Sequence, residues 1–350
     1  MKRTFLVLSI LLLLVLAMTL TACGSKEPAV SDTRPLIVVL GDSGSEGGGS
    51  SLVKIEDIEH PDKLNAAGTY NFKRTDGSYI SIAGQIMGYR VENFSTGGYT
   101  TADVIAQIRS NKFGCADELK KADYIYIGLL NNEYISEIMQ VSAEAKQNKY
   151  SRADKIISRL YQFDWPELMK MIRELNPNAP IIVNNFLSYY GYWTGNLDDL
   201  KGSDGTVQAT YRLWKNVALR YLKEHPDAYY TVDLTGRETL ALSYSNEDSS
   251  HPNDRYNMKL ALGTVNSFSE LGFYTRNDAQ EAENLKAYIP ELWDGFNRYM
   301  AYLRKTQIDV DVAVDAATFS QSVADMTSLS DVAEAYCEMY TAKDPRPVTE

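Results

Sequence analysis

Histidine and cysteine are scarce in this chain, with three of each among 350 residues. The histidines, His60, His225 and His251, are scattered, and no spacing of His and Cys resembles a metal site. We therefore expect no metal and no other cofactor. The formal net charge of −11 argues against nucleic acid or an anionic lipid surface as the primary ligand. These shortages exclude metalloenzymes and nucleic-acid-binding proteins from the leading interpretations.

Two of the cysteines, Cys115 and Cys337, lie far apart in the sequence. In an oxidising compartment they could form a disulfide, although a single pair is no disulfide framework. The equally good alternative is two unrelated buried thiols.

The third cysteine, Cys23, follows an N-terminal apolar run. Lys2 and Arg3 precede an almost unbroken run of 16 apolar residues from Phe5 to Leu20. A membrane span needs about 20 such residues, so the segment is typical of a secretory signal. Leu20-Thr21-Ala22-Cys23 resembles a bacterial lipoprotein lipobox, which implies cleavage before Cys23 and lipidation of its thiol. We expect an extracytoplasmic protein that is anchored to a bacterial membrane through this lipid.

The N-terminal segment also sets the predicted domain organisation. Residues 1–22 are predicted to be the signal peptide, and residues 23–34 the lipidated cysteine with a flexible, polar tether. About 315 residues remain, which is long for a single core. We expect a main domain over 35–272 with an insertion at about 45–77, followed by a helical C-terminal extension over 273–350. The extension carries no chemical motif; packing against the main domain is favoured over binding a partner protein.

Strand and helix patterns alternate five times along the main domain. The first predicted strand, Leu36–Leu40, is a continuous aliphatic run, as in strands buried on both faces of a parallel sheet. The other predicted strands are 89–93, 124–127, 181–183 and 229–232, with helices over 78–87, 101–109, 165–175, 207–222 and 260–271 and further helices at 276–306 and 317–342. This alternation predicts an α/β fold, a flavodoxin-like three-layer α/β/α sandwich with a five-stranded parallel sheet.

One helix carries a strong local start signal. In Asp164-Trp165-Pro166-Glu167, Asp164 can cap the helix, Pro166 suits its first turn, and Glu167 completes a capping box. We expect the helix to begin there.

Two short motifs carry chemistry. Gly41-Asp42-Ser43 directly follows the first strand, so Ser43 should lie at the carboxyl edge of the sheet, where ligands bind in such folds. Far downstream, Asp248 precedes His251 by three residues in Asp-Ser-Ser-His-Pro-Asn. A serine hydroxyl becomes a nucleophile when a histidine that is oriented by a carboxylate takes its proton. The sequence thus predicts a Ser43–His251–Asp248 triad, with Asp42 in a structural role.

These motifs resemble those of the SGNH, or GDSL, hydrolases over roughly residues 35–270. Gly41–Ser43 resembles the first block and Asp248–His251 the fifth. Asn93–Thr100 resembles the second block, which implies that the backbone N–H of Gly98 donates to the oxyanion together with the N–H of Ser43.

The third block of that family, Gly-x-Asn-Asp, is altered in this chain. Leu130-Asn131-Asn132-Glu133 occupies its place, so the resemblance implies that Asn132 is the side-chain donor of the oxyanion hole. Leu130 replaces the glycine and Glu133 the aspartate, and Asn131 is a rival for the donor role.

The resemblance implies a serine esterase that hydrolyses carboxylic esters through an acyl-enzyme. Tyr189, Tyr190, Tyr192 and Trp193 follow the fourth strand and are candidates for the substrate rim, unless they only fill the core. We favour a short-acyl ester or an acetylated carbohydrate, with lysophospholipid as a further substrate class. The alternatives are an acyltransferase that uses the same site and a catalytically silent glycan-binding lipoprotein.

Overall fold

A parallel β-sheet with helices on both faces forms the centre of the structure, a computed structural model that describes residues 32–59, 77–185, 205–226, 230–233, 251–306 and 313–343. The chain divides into two units, Met1–Arg34 and Pro35–Glu350, and all the elements below belong to the second. The predicted signal peptide and Cys23 lie outside the described residues. In the part of the chain that is described, no helix has both the length and the apolar character that a membrane span requires.

The sheet has the strand order β2-β1-β3-β4-β5, and every neighbouring pair is parallel. The strands are β1 (Leu36–Gly41), β2 (Arg90–Asn93), β3 (Tyr124–Gly128), β4 (Ile181–Asn185) and β5 (Tyr230–Asp233). This confirms the predicted α/β class with a parallel sheet. The interior strand β1 pairs Gly41 with Gly128 of β3, and these two glycines mark the carboxyl edge at which the predicted nucleophile lies.

The alternation of side chains along β1 produces two cores. Successive residues of a strand point to opposite faces, so Ile37 and Val39 belong to one hydrophobic cluster, whereas Leu36, Val38 and Leu40 belong to the other. All five are essentially inaccessible to solvent. A strand that is apolar at every position therefore needs helices on both faces of its sheet.

The first cluster is built mainly by helices from the two ends of the unit. Its helices are α2 (Ser51–Glu59), α3 (Tyr79–Met87), α11 (Asp254–Glu270), α12 (Asp278–Thr306), α13 (Ala316–Ser322) and α14 (Leu329–Lys343), and they are preceded by the single turn α1 (Ser43–Glu46). Leu52 of α2 packs onto Gly295 of α12, where a Cβ would lie 2.6 Å from the leucine side chain. The C-terminal helices thus share a core with the sheet.

The second cluster covers the opposite face. It is formed by α4 (Thr101–Arg109), α5 (Cys115–Leu119), α6 (Ile138–Ala145), α7 (Ser151–Arg159), α8 (Trp165–Leu175), α9 (Gly205–Asn216) and α10 (Ala218–Glu224). Cys115 belongs to this cluster and Cys337 to the first, and both are buried free thiols. The disulfide alternative is therefore wrong, because the two thiols lie in cores on opposite faces of the sheet.

The predicted capping box at Asp164 is also wrong. The turn Leu160–Asp164 is π-helical and continues α7 into α8, so Asp164 has helical dihedral angles (φ −70°, ψ −41°) and caps nothing. Its carboxylate instead pairs with Arg159 at 2.9 Å. Two other predicted helices, over 207–222 and 317–342, are each divided into two in the structure.

Candidate active site

Ser43 begins α1 immediately after β1. Asp42 provides the N-cap of this turn, because its Oδ1 accepts the Gly44 N–H at 3.0 Å, while the Asp42 N–H donates to the Gly128 carbonyl at 3.0 Å. These two bonds fix the serine at the carboxyl edge of the two central strands. The Ser43 side chain is 5% exposed, and its Oγ makes no hydrogen bond to the described part of the chain.

His251 approaches Ser43 across Gly48. A Cβ placed on Gly48 would lie 3.6 Å from Ser43 Cβ and 3.4 Å from His251 Cδ2. The two side chains therefore flank one glycine in the segment between α1 and α2, and each lies within van der Waals distance of the Cβ that another residue would place there. The structure brings these two predicted site residues together, although they come from opposite ends of the domain.

The backbone beside His251 is held by the start of α11. Asn253 caps this helix by accepting the Tyr256 N–H at 3.0 Å. One oxygen of the buried Asp254 carboxylate accepts the Ser51 N–H at 2.9 Å, and the other accepts the Ser51 hydroxyl. The histidine loop is thereby tied to the first residue of α2.

A second tie comes one turn further along α11. The fully buried Asn257 donates through Nδ2 to the Pro252 carbonyl at 2.9 Å and accepts the Tyr79 N–H at 3.1 Å. Pro252 directly follows His251, so this side chain fixes the loop from the core side. Asp254 and Asn257 thus hold the backbone that follows His251.

The Asp42 carboxylate joins the nucleophile turn to the third motif. Its Oδ2 accepts the Asn131 Nδ2 at 2.9 Å and the Asn131 N–H at 3.3 Å. Complete burial raises the pKa of Asp42 to about 6; the hydrogen bonds from Asn131 and Gly44 and the proximity of His251 act in the opposite direction. Asp42 thus has the structural role expected from the sequence. It also holds the Asn131 backbone and side-chain amide through its second oxygen.

Leu130 carries the backbone conformation that a glycine would adopt most easily. Its φ is +85°, in the left-handed region, and its side chain is only 2% exposed. The next two residues then point to different partners: Asn131 to Asp42, and Asn132 through Nδ2 to the Tyr99 carbonyl at 3.1 Å. In the altered third motif, Leu130 therefore adopts a left-handed conformation at the position where the family motif has glycine.

Glu133 links this turn to the N-terminus of α4. Its Oε1 accepts the Thr101 N–H at 2.7 Å and the Thr101 hydroxyl at 2.5 Å. Burial of the carboxylate raises its pKa to about 7, the two bonds from Thr101 lower it, and the negative charges of Asp164 and Asp42 raise it further. The second and third motifs are thus joined at two points, Asn132 to Tyr99 and Glu133 to Thr101.

The second motif brings Gly97 close to the nucleophile. A Cβ on Gly97 would lie 3.7 Å from Ser43 Cβ and 3.1 Å from an oxygen of the buried Glu46. Gly98 follows with φ +79° and is exposed, in a turn closed by the Tyr99 N–H and the Thr96 carbonyl at 3.1 Å. The segment therefore passes beside Ser43 at Gly97, and the oxyanion role of Gly98 stays a prediction.

Several predicted site residues lie outside the described residues. They are the carboxylate of the triad, Asp248, and the candidate rim aromatics Tyr189, Tyr190, Tyr192 and Trp193. Among the residues that are described, no group of three or more His, Cys, Asp or Glu side chains is arranged to hold a metal ion.

Sequence reasoning missed the residues that hold the site together. Asp254, Asn257 and Glu133 all act through partners that are distant in the sequence. The polar Asn253-Asp254 pair directly after His251-Pro252 is a recognisable helix start, and it would have moved the beginning of α11 from residue 260 to 254.

No protein-family model matches this sequence, and no curated protein is similar to it. Solved structures that resemble this one include a phospholipase A1 from Streptomyces albidoflavus NA297, with 16% identity, a TM-score of 0.45 and coverage of 68% of this chain and 99% of that chain. An extracellular lipase from Streptomyces rimosus has 17% identity, a TM-score of 0.45 and coverage of 67% and 99%. A Clostridium thermocellum family 3 carbohydrate esterase has 13% identity, a TM-score of 0.41 and coverage of 68% and 96%. At this level of similarity the function has to be argued from the residues of the site.

Proposed function

We propose that the chain is a serine ester hydrolase of the SGNH (GDSL) type. Ser43 is the nucleophile, His251 the general base, and Asp248 the carboxylate that orients the imidazole. The observation that carries this proposal is the pair of side chains about Gly48: a buried serine hydroxyl at the end of β1, and a histidine ring on the other side of one glycine. The Ser43 hydroxyl makes no hydrogen bond to the described chain, so it contributes no such bond to the fold and is available to a substrate.

The oxyanion is held by the N–H groups of Ser43 and Gly98 and by the Asn132 amide. Support comes from the second motif, which lies against Ser43, and from the bond between Asn132 and Tyr99, which brings that amide to the same loop. Asn131 is the rival candidate: its amide donates to the Asp42 carboxylate, whereas the Asn132 amide donates to the second motif itself. Three donors aimed at the developing charge would stabilise the tetrahedral intermediate, and the loss of one donor typically lowers the rate about 100- to 1,000-fold.

In the reaction, Ser43 Oγ forms a bond to the ester carbonyl carbon as His251 takes its proton. The same proton then goes to the leaving alcohol as the C–O bond breaks, which leaves an acyl-enzyme. Water, deprotonated by His251, attacks that acyl group, and the released serine recovers the proton. A second alcohol in place of water would give an acyltransferase with the same residues.

The remaining parts of the proposal extend beyond the described residues. We propose that the complete domain is a five-stranded, flavodoxin-like α/β/α sandwich, that Cys23 is lipidated, and that the protein acts outside the cytoplasm. Short-acyl esters or acetylated carbohydrates are the favoured substrates, and lysophospholipids are the other class.

Aryl esters from acetyl to long acyl chains test the reaction directly, with the chain from Lys26 to Glu350, which contains the whole second unit. We expect turnover that falls with acyl length, and a loss of about 10⁴-fold or more in Ser43→Ala and His251→Ala. Added alcohols that are acylated in preference to water would identify the acyltransferase. Equal turnover by Ser43→Ala would refute the proposal, and no turnover by the wild-type protein would favour the silent glycan-binding alternative.

A further inference from the structure

An open groove of about 520 Å³ lies between α4 and α8, and Ser43 is not among the residues that line it. Its walls come from Arg109 on α4, from Gln162 and Phe163 on the π-helical turn, and from Glu167 and Lys170 on α8. The volume is within the range of small-ligand sites, about 300–1,000 Å³. Single π-helical turns are rare and are frequent at functional sites.

Phe163 is the unusual residue of this groove. Its side chain is 64% exposed, although its neighbours Leu160 and Trp165 on the same turn and helix are buried. The π-helical turn lies between the buried Leu160 and the buried Trp165, and Phe163 on its outer side presents a flat aromatic face to solvent. Such a face is suited to a ligand with an apolar surface of its own, because aromatic rings provide large contact areas with fixed geometry.

The charges around Phe163 are balanced. Arg109 and Lys170 contribute two positive charges, Asp164 and Glu167 contribute two negative charges, and Arg109 is paired with Glu167 at 2.7 Å. A groove without net charge has no preference for an anion or a cation. Its planar guanidinium, amide and carboxylate groups can instead bind hydroxyl groups, as donors and as acceptors.

An aromatic face bordered by planar hydrogen-bonding groups matches one chemical class. A neutral sugar ring has one face of C–H groups, which stacks on an aromatic ring, and a rim of hydroxyls, each both donor and acceptor. An apolar ligand would take the Arg109–Glu167 ion pair of the rim out of water without offering it new hydrogen bonds, and a charged ligand would meet as much repulsion as attraction.

One end of the groove lies towards the carboxyl edge of the sheet, as the oxyanion loop does. It begins at Ala102, directly after Thr101, which is bonded to Glu133. The N-termini of α4 and of α8 both lie towards the carboxyl edge of the parallel sheet, because each helix connects consecutive parallel strands. A polysaccharide in the groove would therefore run towards Ser43.

We propose that this groove is a binding site for neutral carbohydrate, with Phe163 as its stacking platform. Binding does not need the chemistry of Ser43; only the connection to an esterified glycan as substrate rests on the proposed function. The groove would then hold a part of the polysaccharide distant from the ester that reacts.

Affinity electrophoresis in gels that contain soluble, unesterified neutral polysaccharides (xylan, mixed-linkage β-glucan and galactomannan) tests the site without any turnover. We expect at least one of them to retard the wild-type protein. Phe163→Ala should weaken this binding about tenfold or more, and Phe163→Tyr, which retains the ring, should remain within about twofold of wild type. Met139→Ala, which removes an apolar side chain that is 78% exposed outside the groove, is the matched control and should bind as wild type does.

Three results would overturn the proposal: no retardation by any of the three polysaccharides, undiminished binding by Phe163→Ala, or full binding by Phe163→Leu, which would indicate a general apolar contact. Hydrolysis of an aryl acetate by Phe163→Ala gives the second readout. It should be unchanged, because the groove is apart from Ser43. A missing esterase activity with normal polysaccharide binding would remove the proposed function and leave the carbohydrate site in place.

Discussion

The link between Glu133 and Thr101 makes a quantitative prediction about pH and stability. Glu133→Gln keeps the length of the side chain and one acceptor oxygen for Thr101, but removes the charge. In the wild-type protein, burial raises the pKa of Glu133 from 4.5 to about 7, and the negative charges of Asp164 and Asp42 act in the same direction. The folded state therefore binds a proton more tightly at this site than the unfolded state does.

The sign of the effect follows from proton linkage. The stabilising contribution of a raised pKa is complete below the unfolded value, near pH 4.5, and is lost as the pH rises through about 7. At 1.36 kcal/mol per pH unit the loss is at most roughly 3 kcal/mol, and we expect roughly 2 kcal/mol because Glu133 is partly exposed as a residue. Glutamine does not titrate, so the variant lacks this fall.

Urea unfolding of both proteins at pH 5, 6, 7 and 8 measures the difference. We expect the free energy of unfolding of Glu133→Gln to rise by roughly 2 kcal/mol relative to wild type between pH 5 and 8. Glu174→Gln is the matched control, because Glu174 is exposed and its distance of 3.8 Å from Lys170 is long for an ion pair. The free energy of unfolding of this variant should show no such trend with pH. A variant that loses stability relative to wild type as the pH rises would show that the pKa of Glu133 is lowered, and would contradict the account.

The altered third motif gives three further predictions. Leu130→Gly should be more stable than Leu130→Ala by about 1 kcal/mol in urea unfolding, because both lose the buried side chain but only glycine accepts φ +85° without strain; the reverse order would show that Leu130 is unstrained. Asn132→Ala should lower kcat/KM for aryl esters about 100- to 1,000-fold with little change in stability. Asn131→Ala should instead lower the free energy of unfolding by about 1–3 kcal/mol, because it leaves the buried Asp42 carboxylate without that donor. If Asn131→Ala lowered kcat/KM instead, and Asn132→Ala lowered the stability, Asn131 would be the oxyanion donor.

The parts of the fold that could be predicted from the sequence are those with a local cause. β1 is apolar at every position because both of its faces are buried, and the following Gly41-Asp42-Ser43 leaves the strand through a turn that Asp42 caps with its own side chain. The position of Ser43 follows from these neighbouring residues alone. The pairing of Asp254 with Ser51 depends instead on tertiary packing, which no local pattern encodes.

The failed capping box shows how context overrides a correct local rule. Asp164, Pro166 and Glu167 fit a helix start, but the chain arrives already helical from α7, and a π-helical turn joins the two segments. Pro166 therefore lies inside a continuous helix, two residues after the π-helical turn, and not at a helix start. The exposed Phe163 lies on the same turn, so the error in the prediction coincides with the candidate carbohydrate groove.

Covalent labelling with a fluorophosphonate tests the central claim, that Ser43 is activated by His251, most directly. The reagent phosphonylates activated serine hydroxyls and gives a mass increase that can be located by peptide mapping. We predict one label per chain, on Ser43, no label in Ser43→Ala, and much slower labelling of His251→Ala. Labelling of another serine, or no labelling of a protein that unfolds cooperatively and is therefore folded, would contradict the account.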